Sequence, residues 1–234
     1  MIQVTPANAR YFVQNSWLQS YPSFSFGEYF DPNNTGFGVM RVCNDDTIAP
    51  SKGFGAHPHS DMEIVTLVLR GQIKHEDNLG NVAVSSAGEL QRMTAGTGII
   101  HAEYNPSAEA DGRFLQLWFM PQEKGLEPSY ETVSPSRSAM KNALLPVVTP
   151  DGREGTARIH QDVTIYLGEL GKGHKSYFKQ ESGRRVFLFM IDGSLRANDK
   201  TLSPGDTARM EFEPDVLLSN PDSEQAYFML IDLP

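Results

Sequence analysis

Residues 67–73, Leu67-Val68-Leu69-Arg70-Gly71-Gln72-Ile73, return in the second half of the chain as Phe189-Met190-Ile191-Asp192-Gly193-Ser194-Leu195. Each copy is a run of β-favouring residues, a glycine turn and the start of another such run. Downstream of each lies a second shared turn, Ser86-Ala87-Gly88-Glu89 and then Ser203-Pro204-Gly205-Asp206. In both, glycine can supply a positive φ and an acidic residue follows it. The glycine-to-glycine spacing is longer in the first half, and a longer hairpin around Asn78-Leu79-Gly80-Asn81 would absorb the difference. The repeat predicts a duplicated unit.

Working outward, short β-rich runs separated by Gly, Pro, Asn or Asp recur at Phe37–Val42, Ile64–Leu69, Val82–Val84, Phe114–Met120, Val163–Leu167, Val186–Ile191 and Ala226–Leu233. They predict an all-β chain of two antiparallel β-barrels, residues 1–130 and 131–234. The polar, proline-containing stretch Pro121–Pro135 is the expected seam, because apolar alternation stops there. A short helix is expected within Ser136–Leu145, and nowhere does a 3.6-residue apolar period persist over three turns.

A length of 234 residues suits two domains of ~100 residues each, and 39% hydrophobic residues suffice for two cores. The net charge of -9 repels a phosphate backbone, so direct nucleic-acid binding is not expected. The N-terminus lacks a basic region followed by an apolar stretch, and apolar runs such as Ile64–Leu69 are too short to cross a bilayer. A cytoplasmic protein that does not enter a membrane is the expectation. The single cysteine, Cys43, can form neither an internal disulfide nor a thiolate cluster, so a metal here must use histidine and carboxylate.

Two such pairs stand out, His57-Pro58-His59 and His101-Ala102-Glu103. Residues two apart on a strand point to the same face. If the two strands are neighbours, His57, His59, His101 and Glu103 form a compact square with adjacent Cβ atoms roughly 5 Å apart. Three imidazoles and a carboxylate suit one divalent ion such as Fe, Mn, Co, Ni, Cu or Zn, and an octahedral ion keeps two positions open. Gly53, Gly55, Gly96 and Gly98 allow close backbone approach beside these pairs, and Pro58 stiffens the first. Several other residues have plainer roles. His75 reads as a surface turn or packing residue, His160 and His174 as solvated, and Cys43 as a buried thiol at a strand end. Phe114, Trp118 and Phe119 can line a pocket or fill a core. Gly96-Thr97-Gly98 has no Lys-Ser/Thr pair and is not a phosphate loop.

The set His57-Pro58-His59, Glu63 and Gly71, followed by Gly96-Thr97-Gly98, His101 and Asn105, resembles the two motifs of the cupin superfamily. It departs from them in one extra residue before Gly71, in glycine replacing the usual proline, and in a leading glycine displaced to Gly88. The longer stretches Ala56–Thr66, Gly71, His75–Asp77 and Met93–Pro106 resemble bacterial pirins. That resemblance covers the whole chain, is most specific over residues 53–106 and is diffuse after residue 150. It implies a bicupin of jelly-roll type with one divalent metal, Fe2+ being the expected ion, held by His57, His59, His101 and Glu103, and Glu63 outside that set. It also implies quercetin 2,3-dioxygenase activity, in which a flavonol-like small aromatic is opened by O2 with release of carbon monoxide and Glu103 accepts the substrate proton. The alternative it implies is a regulatory protein that binds a transcription factor or metabolic enzyme as its protein partner, with the metal as redox sensor. A monomer is expected. Counted from the shared glycines, the second half carries Lys179, Glu181, Leu218 and Asn220 at the ligand positions, so its barrel is expected to be structural.

Overall fold

Along Ile99–Tyr104 every second residue, Ile99, His101 and Glu103, is buried, as an extended strand with one covered face requires. In a computed structural model describing residues 1–234, Asp215–Ser219 and Leu195–Ala197 alternate in the same way, whereas Leu90–Thr94 and most of Glu63–Arg70 and Arg185–Asp192 are buried on both faces. The strands of the first part are β1 (Ile2–Thr5), β2 (Val13–Gln14), β3 (Leu18–Pro22), β4 (Met40–Ile48), β5 (Gly53–His59), β6 (Glu63–Arg70), β7 (Gln72–Asp77), β8 (Val82–Ser86), β9 (Leu90–Thr94), β10 (Ile99–Tyr104), β11 (Gly112–Phe119) and β12 (Ser129–Val133). The remainder are β13 (Leu144–Thr149), β14 (Ala157–Arg158), β15 (Thr164–Gly171), β16 (Lys175–Lys179), β17 (Arg185–Asp192), β18 (Leu195–Ala197), β19 (Lys200–Leu202), β20 (Thr207–Glu211), β21 (Asp215–Ser219) and β22 (Gln225–Leu233). No helix is long and apolar enough to cross a membrane.

The chain forms two compact units. In the unit made of Tyr11–Pro135 and Ala157–Gln161, one sheet runs β12-β9-β6-β11-β4-β3-β2 and the other β5-β10-β7-β8. Ile48, Val68, Ile73 and Phe114 pack between them with Trp17, Leu18 and Phe54. In the other unit a sheet ordered β1-β20-β17-β22-β15-β13 faces a four-stranded sheet β16-β21-β18-β19. Its core is a continuous apolar cluster including Leu170, Val186, Leu188, Leu195, Val216, Leu218, Phe228 and Leu230. Each unit is therefore a two-sheet antiparallel jelly roll, the all-β cupin architecture, rather than a closed barrel.

The duplication is visible in hydrogen bonds. Val68 N donates to Glu89 O and Gly88 N to Val68 O, at 3.0 and 2.8 Å; Met190 N to Asp206 O and Gly205 N to Met190 O repeat them at 3.0 and 2.8 Å. Gly71 and Gly193 have φ of 73° and 78°. A Cβ on Gly193 would lie 1.8 Å from the carbonyl oxygen of Gln225, so no other residue fits that turn.

Several expectations are corrected. The units do not divide at residue 130: Met1–Arg10 belongs with Ser136–Thr156 and Asp162–Pro234, because β1 pairs with β20 (Ile2 opposite Met210) and covers what would otherwise be an open edge. The polar stretch Pro121–Pro135 is not simply a seam, since Ser129–Val133 pairs with β9. The helix is limited to Arg137–Met140, and Leu144–Thr149 turns into strand. Cys43 is buried in the middle of β4 rather than at its end. Asn44-Asp45-Asp46 continues the strand between β3 and β11, and Asp45 takes a two-point bond from Arg113, 2.8 Å for each arm.

Candidate metal centre

β5 and β10 are antiparallel neighbours, with His57 opposite His101 and His59 opposite Ile99. The register slips between His101 and Glu103, so that Glu103 faces Phe54. In the ladder His57 and His101 are level, with His59 towards one end and Glu103 towards the other, while the three imidazole rings close into a triangle with centroids 4.8, 4.5 and 4.9 Å apart. His57, His59 and His101 bring their nitrogens within 4.8 Å of one another; Glu103 falls in an adjoining set with His101 and His75.

The geometry of the trio fits a metal. Nε2 of His57 and Nε2 of His101 lie 3.1 Å apart. Cis ligands on an ion bonded at ~2.0–2.1 Å stand roughly 2.9–3.3 Å apart, depending on octahedral or tetrahedral geometry. His57 Nδ1 donates to the Gly55 carbonyl at 2.8 Å, which leaves its Nε2 lone pair facing the others. Burial, then the neighbouring His57, lowers the His59 pKa to about 4. Burial and the surrounding imidazoles lower that of His101 to about 3. Both are thus neutral at pH 7, the state a metal requires.

Glu103 is 2% exposed, and burial pushes its pKa up to about 7 against hydrogen bonds from Gln116 and Gln91. Gln116 Nε2 donates to one carboxylate oxygen at 2.7 Å and Gln91 Nε2 to the other. The two amides are themselves aimed: Trp118 Nε1 donates to Gln116 Oε1 at 3.2 Å and the Tyr130 hydroxyl to Gln91 Oε1 at 2.7 Å. A cavity of about 370 Å³ opens onto His57 and Glu103, with Trp17, Phe26, Phe54 and Trp118 as walls and Asn44, Asp46 and Gln116 as polar lining.

His75 was expected in a surface turn or in packing; it is fully buried, 3.4 Å from His101 through facing Nδ1 atoms and stacked on Tyr130 at 4.2 Å between centroids. Its signal was present in the sequence, since His75 and Asp77 are two apart on a strand and share a face. His160 is half-buried rather than solvated: Nδ1 stands 3.1 Å from the Thr94 hydroxyl, and its backbone N–H donates to Glu63 Oε2 at 3.2 Å. Glu63 is fully buried, its pKa raised by burial, and bonds Thr94. His174 is exposed. Phe114 and Phe119 are core, whereas Trp118 borders the cavity and meets His59 edge-on at 4.8 Å.

A two-unit cupin with a histidine cluster in one unit is the class these features define. Family comparisons agree: residues 5–119 match the Pirin family and residues 146–233 the quercetinase C-terminal cupin domain. The chain is 40% identical over 235 residues to quercetin 2,3-dioxygenase of Escherichia coli, covering 100% of this chain and 99% of that one. The crystal structure of YhhW from Escherichia coli superposes with a TM-score of 0.95 at 38% identity, covering 100% and 98% of the two chains. That of the bacterial pirin YhhW in complex with nickel(II) gives 0.93 at 39%, covering 100% and 99%. The chain belongs to the pirin family.

Proposed function

We propose that the protein is a metal-dependent oxidoreductase of the quercetin 2,3-dioxygenase type, with His57, His59 and His101 as metal ligands, Glu103 as the fourth, and a flavonol-like aromatic and O2 as substrates. The observation that carries this is the aromatic-walled cavity ending on His57 and Glu103. Its volume of about 370 Å³ lies within the range of small-molecule sites. A divalent ion held by these residues would supply Lewis acidity for a substrate hydroxyl. Trp17, Phe26, Phe54 and Trp118 offer flat faces and edges to a planar ring and exclude water from it. Asn44 Oδ1 is buried without a hydrogen-bond partner and borders the cavity, an acceptor for a substrate hydroxyl. Glu103, held by Gln116 and Gln91 at the end of the cavity, is the carboxylate placed to take the proton of the flavonol 3-hydroxyl. Ring cleavage takes up one O2 and releases one carbon monoxide.

The test is metal content followed by O2 uptake and carbon monoxide release with quercetin, comparing wild type with Glu103→Ala. Metal-dependent uptake that falls at least about 100-fold in the variant supports the assignment. Metal binding with inert quercetin shifts the weight to the protein-partner role, and no metal after reconstitution with Fe, Ni or Co removes the basis of both.

A further inference from the structure

Behind His101, on the side away from His57, stand His75 and Asp77 of β7, which pairs with β10 so that Asp77 faces His101 and His75 faces Glu103. Asp77 accepts four hydrogen bonds. Oδ1 takes the backbone N–H groups of Leu79 and Asn81 at 2.9 and 3.0 Å; Oδ2 takes Asn81 Nδ2 at 2.8 Å and faces His75 Nε2 at 3.0 Å. A carboxylate so surrounded by donors has no proton to offer, so the hydrogen of the Asp77–His75 contact sits on His75 Nε2. A neutral His75 then has a bare Nδ1, and the contact at 3.4 Å with His101 Nδ1 requires the hydrogen on the His101 side. His101 Nε2 is left with its lone pair, directed at His57. Both rings of the relay are at most 2% exposed, so water does not compete for these bonds.

We infer that Asp77 and His75 form a tautomer-setting relay that fixes His101 with Nδ1 protonated and Nε2 bare, so that a histidine rather than a carboxylate or carbonyl orients this ligand. The inference rests on His101 being a metal ligand for its consequence, though not for its geometry. Both residues are positioning residues: they act through His101 and reach neither the cavity lining nor the trio of nitrogens. His57 is set by a different device, the Gly55 carbonyl, so the two facing ligands are oriented independently. Outer partners of this kind change metal affinity by about 10- to 100-fold.

Two substitutions separate orientation from packing. His75→Phe keeps a ring against Tyr130 but removes the acceptor, whereas His75→Asn loses the stack yet keeps an oxygen near the position of Nδ1. Nickel(II) titration calorimetry on each, with thermal unfolding of the metal-free forms, is expected to show Phe weakening binding about 10- to 100-fold and Asn recovering most of it, even if Asn unfolds at lower temperature. Phe binding as wild type, or Asn binding worse than Phe, overturns the relay. Independently, 15N NMR of histidine-labelled, metal-free wild type at pH 7 reads the tautomer directly. His101 protonated at Nδ1 and bare at Nε2 supports it, and the reverse assignment overturns it. If wild type binds no nickel, the metal assignment fails, while the NMR still decides the relay.

Discussion

The four-stranded sheets of the two units have the same order and hairpins but opposite interiors. Asn105 and Asn220 give the alignment, for their side chains make matching bonds. Asn105 Nδ2 donates to the carbonyls of Ile48 and Ala110 and its Oδ1 accepts from Ser107 N; Asn220 Nδ2 donates to Leu170 and Ser223 and its Oδ1 accepts from Ser223 N. Counting back from these, Val216 takes the place of His101 and Leu218 that of Glu103. By strand pairing, Phe178 takes the place of His57 and Ala197 that of His75. The expected equivalence of Leu218 and Asn220 with His101 and Glu103 is thus two residues out, though the second unit still lacks the imidazoles. The bulge between His101 and Glu103 has no counterpart in the ladder of β16 and β21. One frame thus tolerates either an apolar plug or a polar cluster, and the bulge accompanies the polar one. The second unit gains what burial of hydrocarbon offers, whereas the first buries a polar cluster of His75, His101 and Glu103 in the corresponding place.

Exchanging residues between the frames is the strongest way to break the comparison. His101→Val, copying Val216, is expected to weaken nickel(II) binding roughly a thousandfold, about 4 kcal/mol, while the metal-free protein melts no lower; calorimetry and thermal unfolding check both. In the second unit, Leu218→Ala removes a fully buried side chain and is expected to cost about 3 kcal/mol in urea unfolding without changing metal affinity.

A pH-dependent effect sharpens the cost of the polar cluster. Glu103 titrates near 7 in the metal-free fold and near its ordinary 4.5 when unfolded, so the native state binds the proton more tightly. Its contribution therefore lowers stability as pH rises from 4.5 to 7 and stays at its full cost above that. Between pH 4.5 and pH 8 metal-free wild type is expected to lose about 3 kcal/mol of stability relative to Glu103→Gln, whose amide does not titrate. Equal unfolding curves at both pH values would contradict the buried, protonated carboxyl. The smallest effect tests the shared frame itself: Asn105→Ala and Asn220→Ala should each cost about 1.5 kcal/mol, with similar losses in both units. A loss confined to Asn105 would tie that residue to the metal site instead.

Much of this was legible in the sequence because it depends on local rules. The shared turns follow from glycine's access to positive φ, and the pairs His57/His59 and His101/Glu103 follow from the two-residue period of a strand. The features that were missed involve distant partners. Asn44-Asp45-Asp46 lies beyond the β-rich run Phe37–Val42, and pairing with β11 and β3 on either side carries the strand through it. His160, expected to be solvated, and His75, expected in a surface turn or in packing, have their contacts with Thr94 and Tyr130 far away in the chain.

The all-β character, the internal duplication and the pairs His57/His59 and His101/Glu103 in the first half can be read from the residues alone. That Met1–Arg10 completes the second unit, that a bulge sets Glu103 against Phe54, and that Asp77 and His75 stand behind His101 follow only from pairing between distant segments. The physical reason is that side-chain direction is written in a period of two residues, whereas strand register, bulges and edge pairing are chosen between segments far apart in sequence.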